Sequence, residues 1–294
     1  GLNMFDMVSR RGFVSLSAVA AAGLGLAGCS GNKTSEPAGS DAGYAKASSK
    51  KETVELQVFA ANSLEKALPE VQELYTDQTG TTFADTQFKA SGDLVEQMRA
   101  GATVDVLITA SKGTMDDAEA AELVDADTRE DMFVNDLVII RAEGSDTKIE
   151  AIADVANLDG KIAIGDAKTV PAGKYANQAL ASVGLYTGIE GDDGEYAPEI
   201  ADKVALADKV GTAASYVSTG DCVAGFVYSS DIFRYDGIEE AFVCPEDSHK
   251  PIVYPGAVAE SSEHADEAKA FIDFCLTNKK AQKIWAKYGF ELSA

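Results

Sequence analysis

The stretches FAANSL (Phe59–Leu64) and FKASGDL (Phe88–Leu94) decide the fold of this 294-residue chain. In each, an apolar run typical of a β-strand ends near a serine, Ser63 or Ser91, and a helical pattern follows. A serine in that position is expected to be the N-cap of the helix, where its hydroxyl and several unpaired backbone amides point the same way. Two such turns predict two helix N-termini that converge on one anion.

Apolar runs rich in β-branched residues alternate with helical patterns along the rest of the chain. The runs predicted to be strands are Val54–Ala60, Val104–Thr109, Leu137–Arg141, Lys161–Ile164, Val223–Tyr228 and Val253–Val258. This alternation predicts an α/β protein with mostly parallel sheets. Ligands of such folds bind beyond the carboxyl ends of the strands, where both serine turns lie.

The first 28 residues have the pattern of a signal peptide. Arg10 and Arg11 precede an apolar run that is too short to span a membrane. The run ends in LAGC, which resembles the lipobox of bacterial lipoproteins, so cleavage is expected to leave Cys29 as a lipid-bearing N-terminus. An ordinary signal peptide with an incidental cysteine is the alternative. The string SRRGFV around the two arginines also resembles a twin-arginine export signal.

Residues 29–52 consist mainly of small and charged residues, and they are predicted to form a flexible tether rather than a domain. The folded body is expected to begin at residue 53. It is long enough for a sizeable core and is compatible with one domain or two lobes.

Composition excludes several classes of partner and chemistry. The formal net charge of −23 argues against nucleic acid, which requires a basic stripe. Two histidines and four cysteines without a CxxC pair make no zinc set. The sequence does not decide whether Cys222 and Cys244 form a disulfide, whereas Cys275 is expected to be a buried thiol on a helix.

Three further stretches carry groups suited to an anion site. In GDAKTVPAGKYA, Pro171 suits the first turn of a helix and leaves the backbone amide of Ala172 free to donate. In LADKVG, Asp208 is expected to cap a helix whose first turn contains Val210. In GFVYSSD a strand ends at Tyr228, whose hydroxyl is a donor on a rigid ring.

Together these strings resemble the molybdate/tungstate-binding proteins of ABC importers, and the resemblance covers Val54 to Phe290. The strings GATVDVLITA, PEDSHKPIVYP and KYGF add to the match. The resemblance implies a two-lobed α/β fold of the type II periplasmic-binding-protein class, with the ligand in the interlobe cleft. Lobe 1 is expected to comprise residues 53–136 and 255–294, and lobe 2 residues 137–254.

The same resemblance implies five ligand contacts. They are the hydroxyls of Ser63, Ser91 and Tyr228 and the backbone amides of Ala172 and Val210. The chemistry is consistent, because molybdate and tungstate are tetrahedral dianions without a proton at neutral pH and need donors rather than acceptors. The resemblance implies no cofactor, no catalytic residue and no cation site.

The implied partner is a permease with transmembrane subunits and a cytoplasmic ATPase, to which the protein would deliver its anion. We expect an extracytoplasmic monomer held at the cell membrane by lipid on Cys29. The sequence leaves open the identity of the permease, the preference between molybdate and tungstate, and whether the cell has one membrane or two.

Three positions beside the contacts depart from the family pattern or bear on it. Asn62 stands where a small residue is usual, and Gly211 replaces a frequent arginine. Asp93 is the one nearby carboxylate able to accept a proton, although we expect it to face solvent. Asn62, Asp93 and Pro171 are expected to lie just behind the contacts.

These departures keep other functions open. Asn62 and Asp93 leave room for sulfate, phosphate or a small organic anion as the ligand. An enzyme on the same fold is a weaker alternative, because the chain has no GxSxG, HExxH or P-loop motif. A surface or adhesion lipoprotein that binds no ligand is a further alternative.

Overall fold

A six-stranded and a five-stranded β-sheet, both with helices packed on them, dominate the structure, a computed structural model that describes residues 52–293. In chain order the strands are Glu55–Leu56 (β1), Val58–Ala61 (β2), Thr82–Phe83 (β3), Gln87–Lys89 (β4), Val106–Ile108 (β5), Glu130–Asn135 (β6), Leu137–Ala142 (β7), Ile162–Gly165 (β8), Val204–Ala207 (β9), Ala224–Tyr228 (β10), Ile238–Val243 (β11), Ile252–Val258 (β12) and Glu291–Leu292 (β13). The α-helices are Ala67–Thr79 (α1), Ser91–Arg99 (α2), Lys112–Ala120 (α3), Pro171–Ser182 (α4), Pro198–Ala201 (α5), Val210–Ser218 (α6), Ala265–Thr277 (α7) and Lys279–Lys287 (α8). Single 3-10 turns cover Asn62–Leu64, Ala126–Thr128, Ile152–Asn157, Ser229–Phe233 and Glu246–Ser248.

The six-stranded sheet has the order β13-β6-β12-β5-β2-β4. Its strands β2 and β5 are buried along their whole length, which explains why their sequences are apolar at successive positions rather than alternating. Helix α2 packs on this sheet through Leu94, Val95 and Met98, as its sequence spacing predicts.

The five-stranded sheet has the order β11-β7-β10-β8-β9 and contains only residues between Leu137 and Val243. Strands β8, β9 and β10 run parallel, each followed by a turn or helix on the same edge of the sheet. The chain passes from the first sheet to the second at Asp136, the single residue between β6 and β7. It returns through the segment around Glu246–Ser248, before β12.

The expectation of mostly parallel sheets is wrong, because within residues 52–293 five strand pairs are parallel and five are antiparallel. The antiparallel pairs all involve β7, β12 or β6, the strands next to the two crossings between sheets. A strand that enters a sheet by such a crossing has no βαβ connection to set its direction. Sequence periodicity reveals that such a segment is a strand but not which way it runs.

Aromatic side chains fill the space between the last helices and the first sheet. The ring centroid of Phe133 on β6 lies 4.4 Å from that of Trp285 and 5.7 Å from that of Phe290. The last helix, α8, ends at Lys287, and Gly289 adopts a positive φ of 79° just beyond it. The predicted glycine stop is therefore confirmed.

The three cysteines of the described chain are free and buried, so Cys222 and Cys244 form no disulfide. Burial raises the pKa of the Cys244 thiol to about 12, which keeps it protonated and unreactive. The prediction that Cys275 is a buried thiol is confirmed.

The predicted signal peptide, Cys29 and all of the tether except Glu52 lie outside the described residues. The longest helices that the structure describes have 13 residues, whereas a membrane-spanning helix needs about 20 apolar ones. None of them meets the requirement for crossing a bilayer.

Candidate functional site

Both serine turns lie at one edge of the six-stranded sheet. Strands β2 and β4 are parallel neighbours, with Ala61 paired to Lys89 at their carboxyl ends. Ser63 follows β2 in the turn Asn62–Leu64, and Ser91 follows β4 as the first residue of α2. The sheet therefore places the two serines side by side.

The N-cap role predicted for these serines is wrong at both positions. Ser63 lies inside a 3-10 turn whose N-cap is Ala61, and helix α1 begins only at Ala67. Ser91 is already helical, and the N-cap of α2 is Ala90. Neither turn has a side-chain cap, because both N-cap residues are alanines, which carry no side-chain acceptor.

The hydroxyl partners come from the strands beside the turns. The Ser63 Oγ lies 2.8 Å from the hydroxyl oxygen of Tyr254 on β12. The Ser91 Oγ accepts a hydrogen bond of 3.0 Å from the backbone amide of Ala110, which follows β5. Both side chains are thus held in position by the sheet rather than by their own helices.

The other three predicted contacts lie at the carboxyl edge of the five-stranded sheet. Pro171 is the first residue of α4, as predicted, and places Ala172 in the first turn after β8. Val210 is the first residue of α6 after β9, and Tyr228 is the last residue of β10.

The capping role predicted for Asp208 is wrong, since the N-cap of α6 is Lys209. The Asp208 carboxylate instead accepts a hydrogen bond of 2.5 Å from the Thr212 hydroxyl, one turn further on.

All five predicted contacts line one cavity of about 20 Å³. Asn62, Pro171 and Lys89 also line it. Because its walls come from the serine turns and from the helix starts of the second sheet, the cavity lies between the two sheets. No aspartate or glutamate is among the described residues that line it.

Unpaired donors are the main chemical feature of this cavity. The backbone amides of Ser63, Ser91, Ala172 and Val210 donate to no other group within residues 52–293. Each lies in the first turn of a helix or in a 3-10 turn, where an amide has no intrahelical acceptor. The four residues line the same cavity, and the partial positive charge at such positions suits an anion.

Tyr228 adds a fifth donor. Its side chain is 1% exposed, and its hydroxyl has no hydrogen-bond partner in the described part of the chain. Burial raises the pKa of this phenol well above its ordinary value, so the hydroxyl keeps its proton at neutral pH. A buried hydroxyl without a partner is costly, which indicates that a ligand completes it.

Asn62 connects the two sheets directly beside Ser63. Its side-chain oxygen accepts from the backbone amide of Gly211 at 3.3 Å and from the guanidinium of Arg234 at 3.2 Å. Its backbone oxygen accepts a second bond from Arg234. A Cβ on Gly211 would lie 2.3 Å from the Tyr235 hydroxyl and 3.1 Å from the Asn62 side-chain oxygen. The absence of a side chain at Gly211 therefore leaves room for the Asn62 side chain beside it.

A buried ion pair supports this connection. The Arg234 Nε lies 3.3 Å from the Asp231 carboxylate, and both side chains are almost fully buried. The other oxygen of Asp231 accepts from the backbone amide of Tyr228 at 2.8 Å. Burial raises the pKa of Asp231 to about 6, although the positive charge of Arg234 opposes that shift.

Comparison with known proteins places the chain in a family. The sequence pattern of the bacterial extracellular solute-binding proteins matches residues 56–291, which contain nearly all of both sheets and every residue that lines the cavity. The chain belongs to this family of solute-binding proteins.

Three relatives illustrate the similarity. The molybdate-binding protein ModA of Escherichia coli (strain K12) is 33% identical over 81% of this chain and 89% of its own length. A putative ABC transporter substrate-binding lipoprotein of Bacillus subtilis (strain 168) is 31% identical over 90% of this chain and 92% of its own. The solved substrate-binding domain of a putative molybdenum ABC transporter from Clostridium difficile is 33% identical, with a TM-score of 0.61 over 82% of this chain and 100% of that chain.

These similarities also identify the fold. The periplasmic molybdate-binding protein of Azotobacter vinelandii, at 20% identity, has a TM-score of 0.68 over 81% of this chain and 100% of its own. This solute-binding protein has the two-lobed type II periplasmic-binding fold, as its sequence predicts. Its relatives are solute-binding proteins rather than enzymes, and so is this chain.

Asp93 of this solute-binding protein does not line the cavity. It lies half-buried in the first turn of α2, on the helix that begins with Ser91. Burial raises the pKa of its carboxyl, Lys89 lowers it and Asp208 raises it further. The carboxylate therefore supplies no acceptor to the unpaired amides.

Three groups that matter to this solute-binding site escape reasoning from the sequence. Lys89 lines the cavity, Arg234 holds Asn62, and Tyr254 contacts Ser63. Arg234 and Tyr254 are separated from their partners by 172 and 191 positions. No local pattern signals such pairs, although a lysine just before a serine turn is visible in the string FKASGDL.

Proposed function

We propose that this protein binds molybdate, or tungstate by the same chemistry, and delivers it to the permease of an ABC importer. The observation that carries the proposal is the cavity with unpaired donors and no carboxylate. The ligand contacts that we propose are Ser63, Ser91, Ala172, Val210 and Tyr228. The printed names of the relatives from Escherichia coli and Clostridium difficile support this ligand.

The site suits a tetrahedral dianion for physical reasons. Molybdate carries no proton at neutral pH, so each of its oxygens accepts hydrogen bonds and none donates. Neutral dipoles fixed by helix starts stabilise such an anion without an ion pair to arginine or lysine. Monohydrogen phosphate, in contrast, would direct its proton at a donor.

The size of the cavity bears on which other anions could bind in it. A volume of about 20 Å³ is only slightly more than the space that one water molecule needs, so the site as it stands favours a compact ligand over an extended organic anion. Sulfate has the required charge and shape but is smaller than molybdate. Its exclusion would depend on how closely the donors fit the larger ion.

We also propose that the two lobes, residues 53–136 with 255–294 and residues 137–254, close on the anion. Contacts between the two sheets support a closed arrangement. Besides the Asn62 contacts, the backbone amide of Gly92 donates to the carbonyl of Thr169 at 3.2 Å. Closure of this kind distinguishes the loaded protein from the empty one, which a permease needs in order to select it.

The chain would act as a monomer anchored outside the cytoplasm. We propose that Cys29 carries lipid and that Arg10 and Arg11 direct export by the twin-arginine route. The relative from Bacillus subtilis, whose printed name includes the word lipoprotein, supports the anchor. Metabolic labelling with a fatty acid tests it, because Cys29→Ala should abolish the label and release the protein from membranes. Light scattering of the released protein tests the monomer.

A thermal-shift series with molybdate, tungstate, sulfate and phosphate tests the ligand. At 100 times the dissociation constant, a ligand that binds only the folded state stabilises it by about 2.7 kcal/mol. We expect clear shifts with molybdate and tungstate and smaller or no shifts with the others. The absence of a shift with both metal oxyanions would exclude the proposed function.

Substitution of the serines tests the contacts. Ser63→Ala and Ser91→Ala should each raise the dissociation constant for molybdate about tenfold, since each removes one hydrogen bond to a charged group. Ser218→Ala, at the exposed end of α6, is the matched control and should bind like the wild type. Unchanged affinity in both site variants would remove the serines from the site.

A further inference from the structure

Asn135, the last residue of β6, has an amide whose orientation is determined by its neighbours. Its side-chain oxygen accepts from the backbone amide of Asp136 at 3.0 Å and from the Ser229 hydroxyl at 2.8 Å. A backbone N–H can only donate, so the atom that faces it must be the oxygen. The side-chain nitrogen is therefore on the other side, where it faces Ser230 and Tyr254.

The nitrogen of this amide determines the direction of the next hydrogen bond. It donates to the Ser230 hydroxyl at 2.8 Å and to the hydroxyl oxygen of Tyr254 at 3.4 Å. Tyr254 is fully buried, and burial raises the pKa of its phenol, so the phenol stays protonated. Asn135 can only donate to it, so among the described hydrogen-bond partners of Tyr254 the Ser63 Oγ, 2.8 Å away, is the one acceptor for its single hydrogen, and a buried O–H without an acceptor is costly.

Ser63 is therefore the acceptor in its bond with Tyr254, and its own hydrogen remains available to the cavity that it lines. Ser91 is in the same situation, because its oxygen accepts from the backbone amide of Ala110 and its hydrogen is not used there. A hydroxyl has one hydrogen and two lone pairs, so with one lone pair engaged by the protein each serine keeps its hydrogen for the cavity.

We propose that Asn135 and Tyr254 are positioning residues that make Ser63 a donor toward the bound anion and thereby exclude oxyanions that carry a proton. The proposal rests on the proposed function. With this chain of bonds in place, Ser63 meets an incoming P–OH with its own hydrogen and repels it. Without the chain, the same hydroxyl can rotate and accept that proton.

The test is Tyr254→Phe, which keeps the ring and removes the bond that directs Ser63. We expect the dissociation constant for molybdate to rise about five- to tenfold, as for the loss of one hydrogen bond. The dissociation constant for phosphate should fall, because Ser63 is now free to accept from monohydrogen phosphate, so the ratio of the constants for phosphate and molybdate should fall by more than the loss of molybdate affinity alone explains. Isothermal titration calorimetry with molybdate, and displacement of molybdate by phosphate, measure both quantities.

Tyr196→Phe is the matched control. The Tyr196 hydroxyl is likewise hydrogen-bonded to an asparagine, although here it donates, to Asn177 at 2.7 Å, and neither residue lines the cavity. This variant should keep the selectivity of the wild type. Asn135→Asp provides a second test, because a carboxylate accepts from Tyr254 and reverses the chain. Electrostatic repulsion alone would weaken the binding of phosphate and of molybdate to a similar extent. Reversal of the hydrogen-bond chain should instead lower the ratio of the dissociation constants for phosphate and molybdate, as Tyr254→Phe does.

A double-mutant cycle with Ser63→Ala separates positioning from a general structural effect. In the Ser63→Ala background, Tyr254→Phe should no longer change the selectivity ratio. A ratio that is unchanged by Tyr254→Phe, or one that still changes without the Ser63 hydroxyl, would overturn the positioning role. Failure of the wild type to bind any oxyanion would instead overturn the proposed function, so the two failures are distinguishable.

Discussion

At the scale of single residues, the hydroxyl of Tyr228 combines complete burial with the absence of a partner in the described chain. Leaving such a group unpaired costs about 1–3 kcal/mol. The protein tolerates this cost because the hydroxyl lies among the free amides at the starts of α2, α4 and α6. The group thus stabilises a ligand at the expense of the empty protein.

Tyr228→Phe should therefore separate affinity from stability. We expect molybdate to bind about tenfold more weakly, because one donor to a charged ligand is lost. The free energy of unfolding of the ligand-free protein should stay the same or rise by about 1 kcal/mol, since a buried unpaired group is removed. Urea denaturation without ligand and calorimetric titration with molybdate measure the two effects. A ligand-free protein that is clearly less stable would contradict this account of Tyr228.

Gly211 allows the close approach of the two sheets beside Asn62. Gly211→Ala would place a methyl group against the Tyr235 hydroxyl and the Asn62 side-chain oxygen. We expect the molybdate affinity to fall several-fold, because the contact between sheets must open. Gly113→Ala, at the same position in the first turn of α3, has nothing within 4 Å of its new methyl group and is the control. The control should gain up to about 1 kcal/mol of stability and keep its affinity.

At the scale of elements, the turn Ser229–Phe233 and the residue that ends it, Arg234, hold the buried pair of Asp231 and Arg234 behind the cavity. The turn follows β10 directly, so it fixes Tyr228 through the bond from its amide to Asp231. The same arginine reaches across to Asn62. One short turn thus connects a donor of the second sheet with the serine turn of the first.

The buried Asp231 should give stability a distinct pH dependence. Burial raises its pKa from 3.8 to about 6, so between these values the folded state binds more protons than the unfolded state. Its contribution is fully present below about pH 4 and is lost as the pH rises through about 6. The free energy of unfolding of the wild type, minus that of Asp231→Asn, should therefore fall between pH 4 and pH 6. Urea denaturation at several pH values measures this difference, and a flat or rising difference would contradict the raised pKa.

At the scale of the whole molecule, the charge of the protein opposes the charge of its proposed ligand. The formal net charge is −23, whereas the cavity is lined by neutral donors and Lys89. Repulsion of an incoming dianion acts over long distances and is screened by salt, but the short contacts inside the cavity are screened much less. Global charge and local geometry thus affect different steps of binding.

The association rate constant for molybdate should therefore increase as the ionic strength rises from about 10 mM to about 150 mM, over which the Debye length falls from about 30 Å to about 8 Å. Dissociation should change little. Stopped-flow fluorescence at several salt concentrations measures both rates, with sodium chloride as the screening salt. An association rate that falls with added salt would indicate steering by a local positive field, for example that of Lys89.

Much of the architecture was predictable because it depends on local pattern. Each of the six apolar runs chosen from the sequence overlaps a strand, and Pro171 and Gly289 begin and end helices as expected. Strands such as β6 and β11 were missed because they mix charged residues with apolar ones. The direction of β7 and β12 depends on crossings between sheets that periodicity does not reveal.

The five proposed contacts were also named from the sequence, since they follow from local turns together with a family resemblance. The hydrogen bonds that their side chains make within the protein were not predicted from the sequence. The serines were expected to cap helices, yet their hydroxyls bond to Tyr254 and to the amide of Ala110. A serine next to a helix start has several partners within reach, and only the surrounding sheet decides which of them it meets.

By itself, therefore, the sequence determined the positions of the apolar strands, the kinds of donor at the ends of several of them and the family. Those properties depend on hydrophobic periodicity and on residues that are close together in the chain. Only the tertiary structure decided that these donors share one cavity, that Asp93 stays out of it, and that Arg234 and Tyr254 stand behind it. The physical reason is that hydrogen-bond direction and burial depend on groups far apart in sequence, which meet only when the two sheets pack together.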